Sequence, residues 1–199
     1  RKMVQSGSNE LARGMQSGQW PADVGRQLAD VQKQFALLNQ LTAAPATQTA
    51  LVVAASEQAD RTLLVAQTVT ESIEKMAQAP SARLVNLAGR QRMLSQRLAK
   101  NYFLNAAKVE SKVVQAQLVA DAADFRQALQ TLKAAPVSTP AIRSELELAD
   151  SQWLFFDSAL RRPADDAGLS AVATTSERLL GVMDKLTSLY EAALREVLG

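Results

Sequence analysis

Residues 85–98 read VNLAGRQRMLSQRL, and this stretch has two distinct faces when it is drawn as a helix. At about 100° per residue, Leu84, Leu87, Leu94 and Leu98 fall within one arc, so we expect them to face the core of a helical bundle. The roughly opposite stripe is small or polar and consists of Val85, Ala88, Gly89, Arg92, Gln96 and Ala99. The pattern predicts a helix that buries its leucine face and offers small side chains to another helix.

Within the small stripe, Gly89 and Arg92 call for an explanation. A glycine inside a helix costs about 1 kcal/mol relative to alanine, and close approach of another helix is the usual reason for one. Arg92 has no acidic residue within one helical turn, and its planar donors suit an anion. The ordinary alternative is that an arginine on an amphipathic helix is solvated or weakly paired. Solvent exposure is the stronger expectation for Arg83, Arg90 and Arg97, which share a different face.

The composition predicts an all-α protein without an enzyme-like site. The chain has 199 residues with only 8 Gly and 6 Pro, and no segment alternates with the period of a half-buried strand. The net charge is +2, from 22 basic and 20 acidic residues, which argues against a nucleic-acid partner. There is no Cys and no His, which excludes thiolate or imidazole metal sites and nucleophiles activated by histidine. We therefore expect no catalytic residues and no cofactor.

Prolines and turn residues divide the chain into helical blocks. The predicted blocks are residues 1–15, 22–44, 47–77, 81–108, 111–134, 138–161 and 169–197. Pro80 either breaks or only kinks the chain. If it only kinks it, the third and fourth blocks form one rod of about 60 residues and ~90 Å, which would suit two stacked modules that share a long helix.

An internal similarity supports two modules. Residues 35–45 (FALLNQLTAAP) resemble residues 125–136 (FRQALQTLKAAP), and both stretches end in Leu-x-Ala-Ala-Pro. We predict a short, degenerate helical module at residues 1–79 and a full antiparallel four-helix bundle at residues 80–199, which contains the 85–98 stretch.

The stretch from Asn86 to Arg97 resembles the P-box of bacterial nitrate/nitrite sensor kinases and is close to the form found in PilJ-type domains. Those domains begin the methyl-accepting transducers of type IV pilus systems. The resemblance implies a periplasmic antiparallel four-helix bundle, flanked by two transmembrane helices and homodimeric through its first helix. In nitrate-binding members the P-box arginine of each subunit grips one anion. By position Arg92 matches that arginine, and Asn86, Gly89, Met93 and Arg97 match its supporting residues.

Residues 1–6 are similar to the tail of a second, degraded P-box, with Lys2 at the position that Arg92 occupies in the first. Such a tandem arrangement resembles the PilJ proteins more than the single-bundle nitrate sensors. The Asn-x-Ala-Gly part is missing here, which puts an anion site in this module in doubt.

The resemblance implies a periplasmic ligand-sensing domain of an inner-membrane chemoreceptor that controls type IV pili, twitching or chemotaxis. Its signal would be a small anion (nitrate or nitrite), or pilin or another periplasmic protein. One alternative is a nitrate/nitrite sensor domain of a chemoreceptor or histidine kinase, and another is a ligand-free helical adaptor. The longest apolar run, around Ala50–Ala55, is far shorter than the ~20 residues that cross a bilayer. We therefore expect the membrane anchors outside these 199 residues.

Two expectations concern aromatic residues near the C-terminus. The run WLFF at residues 153–156 is predicted to pack in the core of the third bundle helix. Tyr190 on the last helix is predicted to lie on the surface.

Overall fold

A computed structural model describes residues 12–14, 18–43, 49–109, 111–136 and 139–198, and these residues contain no β-strand. Residues 12–14 are helical. The long helices are α1 (Ala22–Leu41), α2 (Thr49–Ala77), α3 (Pro80–Ala106), α4 (Ser111–Lys133), α5 (Pro140–Leu160) and α6 (Asp166–Leu198). The all-α prediction is confirmed. The degraded P-box predicted at residues 1–6 lies outside the described residues.

The backbone resolves the alternative that the sequence left open at Pro80. Helix α2 ends at Ala77, Gln78 has a φ of 48°, and Ala79 is extended with φ −111° and ψ 128°. Proline disfavours helical backbone in the residue before it and fits the first turn of a helix, where its missing N–H is not needed. Pro80 therefore begins a helix rather than kinking one, and the predicted modules do not share a continuous helix.

The chain divides into two compact units, Arg1–Ala77 and Gln78–Gly199. In the first unit α1 and α2 form an antiparallel hairpin, which buries a small apolar cluster of Val24, Leu28, Val31 and Val69. The stacking of the two modules stays a prediction.

The second unit is a four-helix bundle built from α3, α4, α5 and α6. Helix α3 packs against α4 and α6, and α5 packs against α6 and less extensively against α4. Contacts such as Asn101–Gln117 and Arg90–Asp124 run in opposite order along α3 and α4, so these neighbours are antiparallel. Short connections join all four helices, as in an up-down bundle. The predicted antiparallel four-helix bundle is confirmed.

Aromatic side chains fill the centre of this bundle. Phe125 of α4 stacks on Trp153 of α5 with ring centroids 4.3 Å apart, and Phe156 meets the same indole edge-on at 6.1 Å. Tyr190 is only 1% exposed and its hydroxyl donates to the carbonyl oxygen of Leu132 at 3.2 Å. The prediction of a surface Tyr190 is therefore wrong, because its ring lies in the bundle core and its hydroxyl reaches across the core to α4.

The loop between α5 and α6 closes tightly over α3. The Tyr102 hydroxyl lies 3.1 Å from the carbonyl oxygens of both Arg162 and Pro163, to which it donates. Burial raises the pKa of Tyr102 above its ordinary value of 10.0, so the hydroxyl keeps its proton at neutral pH. A Cβ on Gly168 would lie 2.0 Å from the Pro163 oxygen, so this position requires glycine. The Asp165 carboxylate accepts a hydrogen bond from the Gly168 N–H at 2.8 Å, so Asp165 is the N-cap of α6.

Candidate functional site

The P-box stretch lies in the middle of α3 and sends its arginines toward both neighbouring helices. Arg92 reaches Asp184 on α6, whereas Arg90 and Arg97 reach Asp124 and Asp121 on α4. Residues that the sequence placed on two faces of one helix thus tie that helix to two different partners.

The pair formed by Arg97 and Asp121 is bidentate and buried. Arg97 Nε lies 2.7 Å from Asp121 Oδ2, and Nη2 lies 2.5 Å from Oδ1. The two side chains are 19% and 3% exposed. The expectation that Arg97 is exposed to solvent is wrong, because α4 places a carboxylate directly opposite it. Two parallel charge-assisted hydrogen bonds fix the register of α3 against α4.

The pair formed by Arg92 and Asp184 has the opposite character. Arg92 Nη2 lies 3.0 Å from Asp184 Oδ1, and the side chains are 45% and 59% exposed. The missing counter-charge that the sequence indicated for Arg92 is thus supplied by α6. An exposed pair of this kind contributes about 0–1 kcal/mol, so the carboxylate holds this guanidinium weakly.

The small stripe of α3 does contact another helix, and that helix is α6 of the same chain. Ala88 is fully buried and Ala99 is 5% exposed, so both belong to the bundle core rather than to a surface opposite it. Gln96 Nε2 donates to the Ser176 carbonyl at 3.4 Å. A Cβ on Gly89 would meet only Thr187 Cγ2, at 3.9 Å, which is ordinary contact. Packing within the bundle therefore does not require glycine at this position.

The other two predicted site residues, Asn86 and Met93, are partly buried, and Met93 packs at the edge of the core. Helical geometry places both on the same side of α3 as Arg97 and more than 90° from Arg92. Within one chain the five predicted residues therefore do not converge on one point. Arg92 engages α6 while Arg97 engages α4.

The structure adds two carboxylates that were not predicted as site residues, Asp121 and Asp184. Asp121 had a detectable signal, because Phe125, Ala128 and Leu132 continue from it at helical spacing and all of them are buried. A charged residue inside an apolar stripe indicates a buried ion pair. Asp184 had no such signal, since it lies on the exposed side of α6.

The described part of the chain holds no group of three or more Cys, His, Asp or Glu side chains placed to bind a metal ion. Over the same residues, no helix combines the length and the apolar character that a membrane crossing requires.

These features define the class: a helical-bundle domain whose first helix carries an arginine-rich motif tied to both neighbouring helices. Residues 76–181, slightly more than half of the chain, match the PilJ family model, the N-terminal domain of type IV pili methyl-accepting chemotaxis transducers. The chain belongs to this family, so the predicted resemblance is confirmed. It is a family of chemotaxis signalling proteins and not of enzymes. No curated protein and no solved structure matches the chain.

Proposed function

We propose that this chain is the periplasmic ligand-sensing domain of a membrane-anchored chemoreceptor that controls type IV pili or chemotaxis, and that Arg92 receives a small anion such as nitrate or nitrite. One observation supports the anion site above the others. Arg92 is 45% exposed and its ion-pair partner among the described residues, Asp184, is itself 59% exposed. A guanidinium held so weakly can exchange that carboxylate for a free anion of similar planar geometry.

The exchange gives a route from binding to signalling. Asp184 belongs to α6, the last helix of the bundle, so an anion that takes its place on Arg92 releases one tie between α3 and α6. Small shifts of one helix along another are a common form of switching. The size of the shift is limited by the difference in anion affinity between the paired and released states.

Calorimetry with sodium nitrate tests the anion site, with sodium chloride at equal ionic strength as the blank. We expect wild-type chain to bind nitrate and Arg92→Ala to weaken binding at least about tenfold, since a hydrogen bond to a charged group contributes about 1.5–3 kcal/mol. Asp184→Asn removes the competing carboxylate and is expected to tighten binding by up to about fivefold, from the upper limit for exposed pairs. Absence of heat at millimolar nitrate in both wild type and Asp184→Asn would rule out the site.

A protein signal such as pilin is the second candidate, and a different observation favours it. Ala88, Ala99 and Arg97 are all used inside the bundle, so the motif also serves packing. On this alternative neither wild type nor Arg92→Ala shows a heat of binding with nitrate, and Arg92→Ala keeps the response to pili. A ligand-free adaptor predicts that Arg92→Ala changes neither oligomeric state nor receptor output.

Homodimerisation through α3 accounts for Gly89, which the fold of a single chain does not require. We expect Gly89→Ala to raise the free energy of unfolding by about 1 kcal/mol, because alanine is the better helix former and its methyl group finds space beside Thr187. The same change is expected to weaken the dimer, because a side chain now separates the two α3 helices.

Urea denaturation measures the first effect and sedimentation equilibrium measures the second. Gly181→Ala on α6 is the matched control, because nothing lies within 4 Å of its added Cβ. If Gly89→Ala stabilises the chain and leaves its association constant unchanged, the α3 dimer is wrong.

A further inference from the structure

A cleft of about 260 Å³ lies between α5 and α6, close to the loop that joins the two helices. Its volume is close to the lower limit for small-molecule sites and corresponds to the space of about nine water molecules at liquid density. Its lining includes Phe155 and Ala159 of α5, Arg162 of the loop, and Ala171, Thr175 and Arg178 of α6. We call it the α5–α6 cleft.

The lining of the cleft contains two arginines and no carboxylate. Arg162 and Arg178 are both exposed, and neither forms an ion pair with another residue in the described part of the chain. Asp157 and Asp165 flank Arg162 in the sequence, but Asp157 pairs with Arg161 and Asp165 caps α6. Two guanidinium groups without a counter-charge favour an occupant with two negative charges.

The two arginines lie at opposite ends of the cleft. Lys185 of α6 pairs with Glu145 of α5 at 2.7 Å, which sets the register of these antiparallel helices. Arg178 precedes Lys185 by seven residues and is therefore level with Gln152 of α5. Arg162 follows Gln152 by ten residues, which is about 15 Å along the axis. Arg178 leans toward the start of α6, as helical side chains do, and so toward Arg162. The two guanidinium groups can thus hold opposite ends of one short molecule.

The lining between the arginines is largely apolar. Phe155 is 61% exposed, Ala159 is 4% exposed and Ala171 is half-buried. The Thr175 hydroxyl donates to the Ala171 carbonyl at 2.7 Å, so it is already paired within α6. A short methylene chain would cover the exposed ring of Phe155 and the small side chains beside it, which favours an apolar spacer between the two negative charges.

We propose that the α5–α6 cleft binds a linear dicarboxylate of roughly four to six carbons, since about nine non-hydrogen atoms fill the volume. One carboxylate bonds to Arg162, the other bonds to Arg178, and the methylene chain packs against Phe155 and Ala159. This site is separate from the one proposed at Arg92, and neither requires the other.

Calorimetry on the 199-residue chain tests the proposal with glutarate, pentanoate and sulfate at equal ionic strength. Glutarate and pentanoate have the same number of carbons and differ in the second carboxylate. Sulfate carries the same charge as glutarate but concentrates it in one compact ion. We expect glutarate to bind at least about tenfold more tightly than pentanoate or sulfate, the value of hydrogen bonds to one charged group.

Three exposed arginines provide matched variants. Arg162→Gln and Arg178→Gln are each expected to weaken glutarate binding about tenfold or more, to the level of pentanoate, with an unchanged circular dichroism spectrum. Arg161→Gln is the control, because it makes the same change of charge beside Arg162. Arg161 is 70% exposed, pairs with Asp157 and lies outside the lining, so we expect its variant to bind glutarate as wild type does.

Three results would overturn the proposal. The first is no heat with glutarate at millimolar concentration. The second is equal binding of glutarate and either pentanoate or sulfate, which means that the arginines do not hold two separate carboxylates. The third is glutarate binding that Arg162→Gln and Arg178→Gln leave unchanged, or that Arg92→Ala removes, which means that the acid binds elsewhere.

Discussion

Replacing Arg97 by alanine is expected to lower the free energy of unfolding of the bundle by about 3–5 kcal/mol, the cost of removing one partner from a buried ion pair. Asp121 is 3% exposed and would keep its carboxylate inside the bundle after its bidentate partner is gone. Water cannot solvate the carboxylate there, so the substitution raises the free energy of the native state and not that of the unfolded state. The effect is a large fraction of the stability of a domain of this size.

Arg90→Ala is the matched control. It removes an arginine from the same face of α3, also paired with an aspartate of α4, but the side chains of this pair are 39% and 56% exposed. We expect a loss of at most about 1 kcal/mol. The double variant Arg97→Met with Asp121→Leu is expected to recover most of the loss, because apolar pairs of similar volume often replace buried ion pairs without cost.

Urea denaturation followed by the fluorescence of Trp153 measures these changes in the bundle. Trp153 is 5% exposed and stacked on Phe125. A Trp20→Phe background removes the signal of the first unit. Equal effects of Arg97→Ala and Arg90→Ala would show that Asp121 is not held as a buried charge.

Phe156→Ala is expected to destabilise the bundle by about 3–5 kcal/mol, whereas Phe155→Ala changes its stability by about 0.5 kcal/mol or less. The two residues are adjacent and of the same type. Phe156 is fully buried against Trp153, while Phe155 is 61% exposed. Truncation of Phe156 removes buried apolar surface and leaves a cavity, but truncation of Phe155 removes surface that already meets solvent.

Thermal and urea unfolding, both followed by far-ultraviolet circular dichroism, measure the difference. Fluorescence is unsuitable for this pair of variants, because Phe156 contacts Trp153 and its loss changes the emission of the folded state directly. Similar losses for the two variants would mean that Phe155 is covered in solution, by a second chain or by another part of the protein.

These adjacent phenylalanines also show how well a local sequence pattern predicts which side chains are buried. The prediction that the whole run at residues 153–156 packs in the core is half right: Trp153 and Phe156 are buried, but Leu154 and Phe155 are 68% and 61% exposed. Four consecutive helical residues span almost a full turn, so one face of a helix cannot bury all of them. Which of them faced inward depended on where α4 and α6 pack against α5.

Helix boundaries were predictable to within a few residues because their causes are local. Pro140 follows Thr139, whose hydroxyl oxygen accepts the Ile142 N–H at 3.2 Å and caps α5. Pro80 starts α3 through its own backbone restrictions. The family was also predictable, since the motif from Asn86 to Arg97 is contiguous in the sequence.

The partners of the motif were not predictable, because they come from other helices. The sequence by itself determined an all-α chain, its leucine face on α3 and its membership in the chemotaxis transducer family. Only the tertiary structure decided that Arg97 is buried against Asp121 and that Arg92 rests on an exposed Asp184. The physical reason is that helical periodicity fixes the angle at which a side chain leaves its helix. The burial and counter-charge that it meets at that angle are set by the helices packed beside it.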